Sequence, residues 1–83
     1  MMDPHEIRAQ LEARLPECTA LVFDDAGDGQ HFRAQVTSSA FAGRPRVAQH
    51  RMVYEALGAL MHGPIHALAL TTFTPDRWAA RER

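Results

Sequence analysis

Ile65-His66-Ala67-Leu68-Ala69-Leu70-Thr71-Thr72 is the stretch on which the reading of this sequence turns. A short apolar run closed by Thr74-Pro75 fits a buried central strand better than a helix, because Pro75 would end a helix where the pattern stops. His66 then stands at the mouth of the strand, where one ring nitrogen can reach solvent or a metal while the other is held by the scaffold. A half-buried, hydrogen-bonded packing histidine is the alternative for such a position.

Working outward, the segment before this strand carries Val53, Ala56, Leu57 and Leu60 on one helical face with Gln49, which predicts a helix over 46–61. Pro45 starts it and His62-Gly63-Pro64 ends it. After the strand, Thr74-Pro75-Asp76 has the form of a helix start, so 75–81 reads as a last helix with Trp78 docked on the domain. Upstream, Phe32, Ala34 and Val36 alternate with His31, Arg33 and Gln35, the period of a half-buried strand over 31–37. Cys18 to Asp24 is β-favouring and apolar, and Ala26-Gly27-Asp28-Gly29 joins the two as an antiparallel hairpin. Asp3-Pro4 opens a helix over 4–15, with Ile7, Leu11 and Leu15 recurring every four residues and Pro16 stopping it. Arg8 and Arg14 lie off that stripe and are read as solvated. Thr37 to Pro45 is a loop anchored by Phe41.

The order helix-strand-strand-helix-strand-helix predicts an α/β (α+β) fold: a three-stranded mixed sheet with helices on one face, the last strand parallel to the one before. At 83 residues the chain is expected to be a single domain, 1–83. Its composition, 46% apolar and 23% charged, is that of an ordinary soluble protein with no membrane span. The polar, acidic start is unlike a secretory signal, and the lone Cys18 allows no internal disulfide, so a cytoplasmic, reducing setting is expected. A formal charge of −1 argues against a broadly basic nucleic-acid surface, although a local patch remains open.

Enzyme patterns are missing. No phosphate-binding Gly-rich loop, His-Glu-x-x-His or Cys-x-x-Cys occurs, and Gly27-Asp28-Gly29 is too short for a dinucleotide fingerprint. Asp24, Asp25 and Asp28 could hold a hard cation or simply form a solvated hairpin tip.

Gly27-Asp28-Gly29-Gln30-His31-Phe32, Phe41-Ala42-Gly43, His50-Arg51-Met52-Val53-Tyr54, Ile65-His66-Ala67-Leu68 and Thr74-Pro75-Asp76-Arg77-Trp78, in that order, resemble the BolA-like family. The short hairpin loop looks most like its smaller bacterial, IbaG-like branch. The resemblance implies a class II KH-like fold, no catalysis, and pairing with a monothiol glutaredoxin across a shared two-iron two-sulfur cluster, with glutathione supplied from the partner's side. It implies His66 as one cluster ligand. The second is carried over to His31, since Gln30 stands where some relatives have a cysteine; a surface role for His31 stays open. Cys18 is not carried over. No cluster is expected in the isolated protein, which would be a monomer or weak homodimer. The family's other activity is DNA-binding transcriptional regulation of the stress and morphology type, for which Arg44, Arg46, His50 and Arg51 form the candidate surface. The same residues could instead face the glutaredoxin, and a small interaction domain with some other partner is the third reading.

Overall fold

The computed structural model describes residues 2–81. The elements run α1 (Pro4–Arg14), β1 (Thr19–Phe23), β2 (His31–Thr37), a 3-10 turn (Ser39–Phe41), α2 (Arg46–Leu57), a second 3-10 segment (Gly58–His62), β3 (Ala67–Phe73) and α3 (Pro75–Ala80). The sheet order is β1-β2-β3, with β1 antiparallel and β3 parallel to β2. The expected mixed sheet and helix order are therefore those of the protein.

α1 and α3 begin as their sequence dictates. The Asp3 carboxylate accepts from the His5 amide and the Thr74 hydroxyl from the Arg77 amide, and each cap is followed by proline at the first turn. The periodic residues Ile7 and Leu11 of α1 and Val53 and Leu57 of α2 are fully buried against Phe32, Ala34 and Val36 of β2. Phe41, carried by the first 3-10 turn, completes this core with no exposure, as its anchor role required. Trp78 packs edge-on against Phe73, its ring centroid 5.2 Å away.

Three expectations are corrected. The 65–72 run is not a central strand: β2 takes the middle, and β3 is a half-exposed edge strand that starts at Ala67. Its outward row, Ala67, Ala69 and Thr71, is exposed; small side chains on the solvent face made an alternating strand read as uniformly apolar. The helix expected over 46–61 ends at Leu57, because Gly58 adopts φ +53°, ψ −125°, and the chain continues as 3-10 turns. Arg14 is not merely solvated, since its Nη1 donates to the Ala56 carbonyl at 3.1 Å. Gln10 Nε2 donates to the carbonyls of Ala56 and Leu57 at 3.1 and 3.0 Å. Together they satisfy the C-terminal end of α2 from α1.

Candidate functional site: a histidine pair and a basic groove

The hairpin between β1 and β2 is built by its aspartates. Gly27 and Gly29 sit at φ +68° and +67°, which a two-glycine turn supplies without strain. The Asp24 carboxylate accepts from the Gly29 amide at 2.9 Å, and Asp28 Oδ1 accepts from the amides of Gln30 and His31 at 2.9 and 3.0 Å. Asp25 pairs with Arg33 at 2.8 Å. Each carboxylate is thus committed to the turn or to an arginine, and no group of three metal-binding side chains occurs among the described residues.

This turn positions His31. Asp28 Oδ2 lies 2.7 Å from His31 Nδ1, a carboxylate–imidazole contact that fixes the ring and leaves Nε2 to face outward. The amides of Gln30 and His31, then the ring itself, hold the Asp28 carboxyl down to about 2, so it is ionised at neutral pH. His66 reaches the same place from the entry of β3, the strand paired with β2. Its amide donates to the Gln30 carbonyl at 2.8 Å, joining the entry of β3 to the start of β2. The two imidazole centroids stand 5.9 Å apart at 64°, both rings exposed. Among the described residues the His66 ring makes no hydrogen bond; it lines a cleft of about 310 Å³ with Asp28, Gln30, Gly63 and Pro64.

The sequence separates His31 from His66 by an entire strand-helix crossover, and parallel pairing of His31 with Ala67 returns them to one corner. Cys18 is remote from the hairpin, half-buried at the start of β1. Burial pushes its thiol up to about 11, with Glu12 adding to the effect, so it stays protonated and is a poor ligand.

Arg46, His50 and Arg51 gather on the first turns of α2, and Arg44 joins Arg46 and His50 around a second groove. Pro45 occupies the N-cap of α2 and supplies no side-chain cap. His50 is half-buried, its Nε2 enclosed without a partner among the described residues and its ring edge-on to Tyr54. Three contributors were missed by reading the sequence alone. Asp28, read only as a turn or cation residue, is three positions before His31, the spacing that lets it grip Nδ1. Val47 and Tyr54 are exposed on the same face of α2 as Arg51 and lie off the buried stripe, a seven-residue recurrence visible in the sequence.

The class defined by these features is a small α/β domain that carries a close histidine pair at one corner and a set of arginines around the start of α2. The chain matches the family described as BolA-like protein over residues 7–77, and it belongs to that family. It is 43% identical to BolA-like protein 1 of Mus musculus over 79 residues, covering 87% of this chain and 58% of the mouse protein. It thus spans well under two thirds of that relative's length. To the DNA-binding transcriptional regulator BolA of Escherichia coli (strain K12) it is 38% identical, covering 94% of this chain and 81% of that one. A bolA homologue of Coxiella burnetii has a solved structure that superposes with a TM-score of 0.79 at 40% identity, covering 95% of this chain and 99% of the other.

Proposed function

We propose that this BolA-like protein is a non-catalytic, cytoplasmic adaptor in iron-sulfur cluster trafficking that binds a monothiol glutaredoxin and shares a two-iron two-sulfur cluster with it. The observation that carries the reading is the exposed pair His31 and His66, with Asp28 locking the Nδ1 side of one ring. Imidazole nitrogens suit iron, and two of them without a thiolate make half a site, which a partner's thiolates would complete. His66 and His31 are the proposed ligands from this chain. Where the cluster is bound, it is the cargo; the chain's part is to present two oriented nitrogens and to hold the partner.

Mixing the protein with a cluster-loaded monothiol glutaredoxin is the test. A shift in the visible absorption and circular dichroism spectra, saturating at one adaptor per cluster, is expected. An unchanged spectrum at concentrations where the two proteins co-elute would overturn the assignment.

A second reading, DNA binding, is favoured by the description of bacterial relatives as transcriptional regulators and by the cluster Arg44, Arg46, His50 and Arg51. Sequence-specific duplex retention that survives physiological salt would support it.

A further inference from the structure

The two outer edges of the sheet are treated differently. On β1 the Ala20 amide, which points away from β2, donates to the Glu12 carboxylate of α1 at 3.2 Å, and α1 lies along that edge. On β3 nothing comparable happens. Among the described residues, no backbone or side-chain group hydrogen-bonds the outer backbone edge from Ala67 to Thr72. Sheet edges are commonly protected by charged side chains, proline or bulges. The strand Ala-Leu-Ala-Leu-Thr-Thr-Phe has no charged residue and no proline, and it pairs with β2 in unbroken register over all seven residues.

A groove of about 480 Å³ runs along this bare edge. Leu70 and Thr72, on the core side of the sheet, and Thr71 and Phe73, on the opposite side, all line it, so the groove follows the edge and does not lie on one face. Arg44 and Arg46 flank it from the start of α2 and Arg77 from α3, and no carboxylate lines it. Gln49 closes the floor, donating to the carbonyls of Phe41 and Arg44 and accepting from the Thr72 hydroxyl at 2.6 Å.

We propose that the outer edge of β3 over Leu70–Phe73 is a docking groove for an extended, acidic segment of a partner protein. The segment adds as a fourth strand and sets carboxylates against Arg44, Arg46 and Arg77. Backbone pairing supplies affinity that is independent of sequence, and the three guanidiniums select for negative charge on the incoming chain. A linear anion alone would use the arginines but leave the strand edge bare, and the match of both features favours a peptide over duplex DNA. The groove lies towards the opposite end of β3 from His66, from roughly 13 Å away at Leu70 to roughly 23 Å at Phe73 at the rise of a strand. A partner held there leaves the histidine corner open, so this goes beyond the cluster reading and stands or falls separately from it.

The test uses the full chain and a fluorescein-labelled decapeptide of alternating valine and glutamate, followed by anisotropy at about 0.15 M salt. Binding is expected together with slowed amide hydrogen exchange in β3. The same peptide N-methylated at every residue, and the Arg44→Glu/Arg77→Glu double variant, should each weaken binding by about tenfold or more. Both arginines are exposed, and circular dichroism would establish that the double variant is folded. Equal affinity for the N-methylated peptide would overturn the proposal, because charge alone would then explain binding. So would tighter binding of a labelled DNA duplex, protection of β3 by self-association without peptide, or no binding at millimolar peptide.

Discussion

His66 and His31 are held in different ways, and the difference predicts different phenotypes. The His66 ring has no hydrogen bond among the described residues and is exposed, so His66→Ala should leave stability within about 1–2 kcal/mol of wild type. If the cluster reading is right, it should also abolish the spectral change with glutaredoxin. Thermal melting and visible circular dichroism on the same sample check both. An unfolded variant whose residual folded fraction still gave the wild-type spectrum would make His66 a packing residue. His31→Ala should act partially, the complex forming but releasing iron faster to a chelator, since only one of two imidazoles is lost. Cys18 provides a pH test. Its folded-state value of about 11 lies above the ordinary 9.0, so burial favours the neutral thiol; that stabilisation is complete below about pH 9 and is lost as pH rises towards 11. The same displacement lowers the thiolate fraction at pH 8 about a hundredfold, so iodoacetamide should alkylate folded Cys18 about a hundredfold more slowly than urea-unfolded protein.

At the scale of elements, the junction of α1 with α2 rests on Gln10, whose amide closes two carbonyls at the end of α2. Gln10→Leu should destabilise the domain by about 1–3 kcal/mol in urea unfolding, because those part-buried acceptors lose their donor. Arg8→Ala, which breaks an exposed pair with Glu12, should cost no more than about 0.5 kcal/mol. Elements whose pattern was unambiguous could be read directly. Strict alternation from His31 to Thr37 marked β2 to the residue, and Asp3-Pro4 and Thr74-Pro75 marked two helix starts. What escaped depended on tertiary context. Alanines on the open face of β3 disguised an edge as a centre, and the left-handed turn at Gly58 shortened a helix whose apolar period continued through Leu60. The corner formed by His31 and His66 was legible only through family resemblance, because its geometry comes from the parallel pairing of β2 with β3. Asp28's grip on His31 came from a turn that the sequence marks but does not orient.

For the whole molecule, charge and ligand inventory set what each of the two readings of function demands. No helix among the described residues is long and apolar enough to cross a membrane, and the formal charge is −1. A DNA-binding mode through Arg44, Arg46 and Arg51, with His50 beside them, could neutralise about three phosphates, giving a slope of log affinity against log salt no steeper than about −3. Gel retardation should therefore be present at low salt and nearly gone at physiological salt; sequence-specific retention that survived would favour the regulator. The cluster reading makes the opposite kind of demand, a dependence on the partner's ligands. Iron-sulfur clusters are held chiefly by thiolates, and even a mixed site uses two sulfurs beside two imidazoles. This chain offers two imidazoles at one corner and a single protonated, half-buried thiol elsewhere. The isolated protein should therefore purify colourless and gain no stable colour on reconstitution with iron and sulfide, whereas adding monothiol glutaredoxin with glutathione should yield a coloured complex. Iron and acid-labile sulfide assays on gel-filtered protein check this. Stoichiometric iron and sulfide in the isolated chain would mean that it holds a cluster unaided, and the shared-cluster mechanism would fail.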